Sequence, residues 1–163
     1  MKHIHFDIET DGFYGAYWAC KDGSDCAVIA MLGDDPEDYM ARSAVKWLLR
    51  LGVNILTMSP AKKDYGHHNY PLERIEKAMA WLKLHGNEKI GIAGASTTGT
   101  LALTAASIFS DISLTIAMTP SDFVWQGFMQ GKKDGCKEWP VEGEALFLQG
   151  KALAIHAVLL SAP

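Results

Sequence analysis

Short apolar runs that alternate with longer segments of helical spacing constrain this chain more than any other feature of its sequence. Runs that are wholly or mainly apolar occupy residues 27–32, 53–58, 89–93 and 112–118. Unbroken runs of this length are typical of strands buried on both faces, as in a parallel sheet. Strands that alternate with helices over short connections predict a mostly parallel sheet with helices on both faces, which is an α/β fold.

The segments between these runs have the start and stop signals of helices. We predict a first helix with Pro36 in its first turn and Gly52 beyond its end, a second from Pro71 to Gly86, and a third over 97–109. Apolar residues at helical spacing predict the buried stripes: Met40, Ala44, Trp47, Leu48 and Leu51 in the first helix, Leu72, Ile75, Met79 and Leu82 in the second, and Leu101, Ala105 and Ile108 in the third.

Residues 3–19 have the pattern of a β-hairpin. Apolar residues alternate with polar ones from Ile4 to Ile8, and Asp11-Gly12 offers a turn before a second strand over 13–19. His3, His5 and Asp7 would share one face of the first strand. We interpret them as a solvent-facing stripe rather than as a metal site.

Composition excludes several classes of partner. The 163 residues suit one domain, and a net charge of −4 does not predict nucleic-acid binding, which requires a clustered basic surface. No apolar run approaches the roughly 20 residues that span a bilayer, so no membrane contact is expected. The three cysteines, Cys20, Cys26 and Cys136, have no CxxC spacing. They indicate free thiols in a cytoplasmic protein, no zinc site and no cofactor, although a Cys20–Cys26 disulfide is an alternative.

The turn over residues 94–99, Gly-Ala-Ser-Thr-Thr-Gly, is the strongest candidate for chemistry. It joins an apolar strand to a helix of small residues, where a nucleophile elbow would hold Ser96 in a strained turn. The helix N-terminus would present the backbone N–H of Thr97 to a developing oxyanion. The usual pattern is G-x-S-x-G, whereas here the second glycine position holds Thr98. An anion-binding loop or a purely structural turn therefore remains open.

A second oxyanion donor is expected from the loop after the first interior strand. Gly33 permits close approach of the backbone there, and the N–H of Asp34 or of Asp35 is the candidate donor. Alternatively, these two aspartates only cap the following helix. After the fourth run, Ser121 and Trp125 are candidates to line the substrate pocket, because such sites lie beyond the carboxyl ends of parallel strands.

Several stretches together resemble the C-terminal catalytic domain shared by acyl-CoA thioesterases and bile-acid-CoA:amino-acid N-acyltransferases, within the α/β-hydrolase superfamily. The resemblance covers roughly residues 10–150, and its most specific part is Pro-Ser-x-x-Val-x-Gln-Gly over 120–127. The matching stretches are 13–18, 28–33, 70–73, 89–96, 101–103 and 120–127. The resemblance implies a serine or cysteine nucleophile, an acyl-enzyme intermediate, and an acid and a histidine later in the chain.

Only the nucleophile carries over, onto Ser96. In α/β-hydrolases the triad runs Ser, then acid, then His, and the one histidine after Ser96 is His156. We therefore expect a domain over 1–153 that lacks its last strands and turns over little substrate. The tail over 154–163 fits no expected element and suggests a frameshift near Ala154. An open edge at 112–118 would then promote self-association.

The resulting functional prediction is an acyl-ester or acyl-thioester (acyl-CoA-like) hydrolase with a serine nucleophile, catalytically incomplete in this chain. The alternatives are a non-catalytic module that binds an acyl or CoA-like ligand, and an acyl-CoA:amine N-acyltransferase. The sequence does not separate hydrolysis from acyl transfer, because the outcome depends on whether water or an amine reaches the acyl-enzyme.

Overall fold

The computed structural model of the chain describes residues 3–59 and 70–120. Their elements, in chain order, are β1 (Ile4–Phe6), α1 (Ile8–Asp11), β2 (Gly15–Trp18), β3 (Cys26–Met31), α2 (Tyr39–Arg50), β4 (Asn54–Met58), α3 (Glu73–Leu84), β5 (Lys89–Ala95), α4 (Thr97–Ile108) and β6 (Ile112–Met118). No helix among these residues is both long enough and apolar enough to cross a membrane.

The four apolar runs form neighbouring parallel strands, which confirms the predicted sheet. The strand order is β1-β2-β4-β3-β5-β6, and β4, β3, β5 and β6 run parallel to one another. In the centre of the sheet β3 pairs with both β4 and β5, and Ile29 is completely buried. Because helices cover both faces of the sheet here, this strand has no solvent-facing side, and its sequence is a continuous apolar run.

Helices pack on both faces of the sheet, as predicted. One face carries a core that includes Ile75 and Leu82 of α3 and Ala102 of α4. The opposite face carries a second core, in which Val45 and Leu48 of α2 contact the sheet.

The N-terminal hairpin is present, but a short helix takes the place of the predicted tight turn. The two strands β1 and β2 pair antiparallel, and β2 also pairs antiparallel with β4. Ile8, predicted in the first strand, instead begins α1, because the side chain of Asp7 caps this helix by accepting a hydrogen bond from Glu9 N at 2.9 Å. Gly12 then ends α1 with φ 78°, a left-handed conformation that glycine adopts without strain.

The structure corrects both the start and the buried face of α2. The helix begins at Tyr39, three residues after Pro36, because Asp38 is its N-cap and accepts from Ala41 N at 2.9 Å. The buried residues are Ala41, Ala44, Val45 and Leu48. Of the predicted stripe, Met40, Trp47 and Leu51 are instead exposed, at 56%, 57% and 60%.

The other two helices agree better with their predicted stripes. Ile75, Met79 and Leu82 of α3 are buried as expected. In α4 Ala105 is buried, whereas Ile108 is 37% exposed. The buried side of α4 consists of small residues: Thr98, Gly99, Thr100, Ala102, Thr104 and Ala105.

A pair of buried asparagines connects three segments at the amino ends of the parallel strands. Asn54, the first residue of β4, donates through Nδ2 to Asn87 Oδ1 at 2.8 Å and to the carbonyl of Ser24 at 2.9 Å. Asn87, completely buried between α3 and β5, donates in turn to the carbonyl of Leu82 at 2.9 Å. Buried amides satisfied in this way hold loops in one arrangement.

Candidate active site

Ser96 lies in a sharp turn between β5 and α4, where the sequence predicts the nucleophile. Its backbone has φ 53° and ψ −120°. Among the described non-glycine residues, only Ser96 and Thr119 have positive φ. For a serine this conformation costs free energy, and residues held in this way cluster at functional sites. The Ser96 side chain is exposed at the carboxyl end of the sheet.

Close packing around the turn requires glycine at position 94 and leaves little room at position 99. A Cβ at Gly94 would collide with the carbonyl of Thr98, and a Cβ at Gly99 would lie 3.1 Å from the carbonyl of Met118. Ser96 N donates to that same Met118 carbonyl at 2.8 Å. The elbow is thus held against the end of β6 by its backbone.

Thr98, at the second glycine position of the usual motif, has a structural role here. It is buried, and its Oγ1 accepts from Ala95 N at 2.9 Å. The same hydroxyl lies 2.6 Å from the carbonyl of Met31, to which it donates, and 2.9 Å from the carbonyl of Ala95. Met31 is the last residue of β3. The departure from G-x-S-x-G therefore ties the elbow to the neighbouring central strand.

The helix that follows presents its first amides at this turn. Thr97 is the first residue of α4, and the hydrogen bond from Thr100 N to the Ser96 carbonyl, 3.1 Å long, closes the first turn. The structure records no acceptor for Thr97 N–H among the residues it describes. Such an amide, at the positive end of a helix dipole, suits an oxyanion.

The two candidate oxyanion amides of the loop after β3 are already hydrogen-bonded within the chain. The backbone N–H groups of Asp34 and Asp35 both donate to Asp38 Oδ2, at 2.8 and 3.3 Å. Gly33 has φ 102°, and a Cβ there would overlap the Asp38 carboxylate. Both amides therefore have an acceptor in this structure, and either could serve as an oxyanion donor only if the Asp38 carboxylate moved away. The cap of α2 is likewise Asp38 rather than Asp34 or Asp35.

Tyr14, for which the sequence predicted no role, is a polar neighbour of this loop. Its hydroxyl donates to Asp35 Oδ2 at 3.3 Å. Partial burial, and then the negative charge of Asp35, raise the pKa of Tyr14 above its ordinary value. The phenol is therefore neutral at physiological pH and acts as a hydrogen-bond donor.

The remaining predicted site residues, Ser121 and Trp125, lie outside the described residues, as do His156 and the tail over 154–163. The described histidines are His3, His5 and His85. His85 follows α3 at the amino ends of the strands and stacks on Trp81 with ring centroids 3.8 Å apart. None of the three is hydrogen-bonded to Ser96 in the part of the chain that the structure describes.

Solved structures with a similar fold are hydrolases or proteins assigned to that class. An esterase of Pyrococcus furiosus superposes with a TM-score of 0.57 at 20% identity, over 75% of this chain and 50% of the esterase. A second crystal form of an esterase from that organism gives 0.58 at 22% identity, over 75% and 49%. A putative α/β-hydrolase of unknown function from Agrobacterium tumefaciens gives 0.57 at 15% identity, over 74% and 61%.

The chain therefore spans about half the length of the esterase that it matches. At these identities the likeness shows the fold alone, which is that of the α/β-hydrolases. No curated protein matches the chain at a significant level.

The family resemblance seen in the sequence is confirmed by a family model. The model described as BAAT / acyl-CoA thioester hydrolase C terminal matches residues 70–157, just over half of the chain. The matched stretch includes α3, β5, the Ser96 elbow, α4 and β6. The chain therefore belongs to the BAAT / acyl-CoA thioester hydrolase C-terminal family and has an α/β-hydrolase fold.

Proposed function

We propose that this domain hydrolyses acyl thioesters or esters of the acyl-CoA type, with Ser96 as the nucleophile. The observation that carries the proposal is the strained backbone of Ser96, with φ 53°, in an exposed turn at the N-terminus of α4. A structural turn has no need of a non-glycine residue there, because glycine adopts positive φ without strain. The family membership supports the thioester as substrate class.

The proposed reaction follows from this geometry. Ser96 Oγ attacks the carbonyl carbon of the substrate, and Thr97 N–H stabilises the negative charge on the carbonyl oxygen. The C–S bond breaks, the thiol leaves with a proton, and the acyl group stays on Ser96 Oγ as an ester. Water then attacks this ester, which releases the carboxylic acid and restores the hydroxyl. Transfer to an amine would differ only in the second acceptor.

A histidine base for Ser96 is the part of the reaction that the described residues do not supply. His85 stacks on Trp81, and both His3 and His5 contact Glu37. Without a base, a serine hydroxyl is a poor nucleophile at neutral pH, and loss of the base lowers the rate by several orders of magnitude. We propose that the described part of the chain, taken by itself, leaves Ser96 weakly activated.

Two labelling measurements test the role of Ser96 separately from its activation. The first treats the full chain with a fluorophosphonate and detects the adduct by intact mass, with Ser96→Ala as the control. The second uses Ser96→Cys, because a thiol at a helix N-terminus ionises more readily than a serine hydroxyl and depends less on a base. Octanoyl-CoA is the acyl donor, and Ser96→Ala corrects for acylation of the three native cysteines.

Each result has a distinct meaning. Acylation at position 96 in Ser96→Cys, without fluorophosphonate labelling of the unmodified chain, supports a placed nucleophile that lacks its base. Fluorophosphonate labelling at Ser96 supports the nucleophile role and overturns the inferred lack of activation. If a folded sample is labelled in neither measurement, the turn is structural and the proposed function fails. In that case the domain is better explained as a module that binds an acyl or CoA-like ligand.

Product analysis distinguishes the two acceptors. If acylated Ser96→Cys releases octanoic acid in buffer, and no amide when glycine is added, hydrolysis is supported. Amide formation with glycine would instead favour an N-acyltransferase. Either acceptor uses the same acyl-enzyme.

We also infer a reducing, cytoplasmic location for the chain. The thiols of Cys20 and Cys26 are both free, and Cys26 Sγ lies 3.3 Å from Asp25 Oδ1. The hydrogen bond to this carboxylate raises the pKa of the Cys26 thiol above its ordinary value. The neutral thiol is the less reactive form. These thiols support a compartment in which disulfides are uncommon.

A further inference from the structure

His3, just before β1, His5 within β1 and Glu37 of the β3–α2 loop form a cluster at the edge of the sheet opposite β6. His3 Nε2 lies 2.8 Å from His5 Nε2 and 2.9 Å from Glu37 Oε1. His5 Nδ1 lies 3.5 Å from Glu37 Oε2. Asp7, which the sequence placed on the same face as the histidines, instead caps α1.

The order of the sheet produces this cluster. Residues two apart on a strand point to the same side, so His3 and His5 share the face of the sheet that α2 covers. His3 stacks on Trp18 of the adjacent strand with ring centroids 4.0 Å apart. Glu37 lies in the loop that leads into α2, where Asp35 Oδ1 accepts from its backbone N–H at 2.8 Å. Three potential ligands from two distant segments thus converge on one point.

The spacing of the three side chains fits a small divalent cation. Their ligand atoms all lie within 4.8 Å of one another. In a tetrahedral zinc site, bonds of about 2.0–2.1 Å place neighbouring ligand atoms about 3.3 Å apart. His3 Nε2 lies 2.8 Å from His5 Nε2 and 2.9 Å from Glu37 Oε1, both somewhat closer than that spacing. Side-chain rotations that separate these atoms slightly would bring one ligand atom of each residue to the spacing of a zinc site.

The ligand chemistry selects the kind of metal. Imidazole nitrogen suits zinc, copper, nickel and iron, whereas calcium and magnesium prefer oxygen ligands. Two histidines and one glutamate are a known zinc ligand set. The side chain of His5 is 62% exposed, so solvent water can complete the coordination.

One neighbouring group opposes a cation. Arg42 Nη2 lies 3.4 Å from Glu37 Oε1, and Arg42 Nε donates to the Glu37 carbonyl at 2.7 Å. The Arg42 side chain is 59% exposed. Its guanidinium can therefore turn toward solvent when a cation binds. Removal of its charge should strengthen metal binding.

We propose that His3, His5 and Glu37 bind one zinc-type divalent cation. The cation links the first strand of the sheet to the loop that precedes α2. The three ligands are distinct from the Ser96 elbow, and the site does not depend on the proposed hydrolase activity.

The test is a titration of the full, tag-free chain with Co²⁺ in the presence of a non-thiol reductant. Visible absorption reports the geometry of a cobalt site, and a thiolate charge-transfer band would reveal binding to cysteine instead. Displacement by Zn²⁺ then gives the zinc affinity. The ligand variants are His3→Ala, His5→Gln and Glu37→Gln, and His85→Ala is the matched control because His85 lies outside the cluster.

We expect one equivalent of metal in the unmodified chain and in His85→Ala, with affinity lowered about tenfold or more in each ligand variant. Arg42→Gln should bind the metal several-fold more tightly, a gain that no folding defect can imitate. A chain that binds no cobalt, or ligand variants that titrate like the unmodified chain, would overturn the proposal. So would a spectrum dominated by thiolate ligation.

Discussion

At the scale of single residues, the elbow combines a strained serine with a threonine that stabilises the turn. Ser96 has positive φ without being glycine, while the hydroxyl of Thr98 binds the backbone of Ala95 before the turn and that of Met31 on the neighbouring strand. The strain costs free energy at the position where chemistry is proposed, and the buried hydroxyl offsets part of that cost.

Thr98→Val tests this stabilisation. Valine keeps the branched shape but removes the hydroxyl, which leaves Ala95 N without its acceptor and Met31 O without its donor. We expect the free energy of unfolding to fall by about 1–3 kcal/mol, measured by urea denaturation. Thr104→Val is the matched control, because Thr104 Oγ1 donates only to the Thr100 carbonyl, which the helix backbone already uses. Equal losses in the two variants would contradict the role assigned to Thr98.

The position of Ser96 could be predicted from the sequence, whereas the polar groups around it could not. A small-residue turn between an apolar strand and a helix is a local pattern. The engagement of Asp34 N and Asp35 N by Asp38 depends on a side chain whose rotamer is set by the cap of α2. Likewise the contact of His3 with Glu37 joins distant segments, and only the sheet order brings them together.

At the scale of secondary structure elements, the candidate site and the buried asparagine pair lie at opposite ends of the parallel strands. The elbow lies at the carboxyl ends of the parallel strands, and the buried Asn54–Asn87 pair lies at their amino ends. This pair connects the loop before β3, the start of β4 and the end of α3. It was not predicted, because a single asparagine near a strand resembles any turn residue.

Asn87→Ala tests the contribution of that pair. The substitution removes the acceptor for Asn54 Nδ2 and a donor to the Leu82 carbonyl, both in the buried interior. We expect a loss of about 2–3 kcal/mol in the free energy of unfolding, measured by urea denaturation. Glu88→Ala changes the exposed neighbour and should alter stability by less than about 0.5 kcal/mol. If the two variants were equally stable, the asparagine pair would contribute little.

The α2 helix shows why the buried face of a helix is harder to predict than the helix itself. Two residues of the predicted stripe, Ala44 and Leu48, are buried, whereas its larger residues Met40, Trp47 and Leu51 are exposed. Ala41 and Val45 complete the buried face instead. Alanines allow the helix to approach the sheet closely, a packing constraint that the residue spacing does not contain.

At the scale of the whole molecule, the sheet has one apolar edge within the described residues. Among residues 3–59 and 70–120, β5 is the strand that pairs with β6, and Leu114 and Met118 of β6 are 46% and 44% exposed. Unpaired backbone groups beside apolar side chains favour pairing with another chain. We propose on this basis that the protein associates with itself through β6.

Leu114→Lys tests the self-association. A lysine on the edge strand opposes pairing between like-charged copies, so sedimentation velocity should show the concentration-dependent association of the unmodified chain replaced by a monomer. Leu84→Lys is the control, because Leu84 is 83% exposed at the end of α3 and away from β6. A monomeric unmodified chain, or an equal effect of both lysines, would argue against association through this edge.

The order of the strands also determines when each strand can find its partners during synthesis. The central strand β3 pairs through Ala27 with Asn54 and through Cys26 with Lys89, both of which lie later in the chain. The hairpin strand β2 likewise docks on β4, not on the β3 that follows it in sequence. Pairings between such distant residues form slowly. During synthesis from the N-terminus, the apolar β3 therefore leaves the ribosome before either of its neighbours has emerged, and its unpaired edges are open to aggregation until β5 follows.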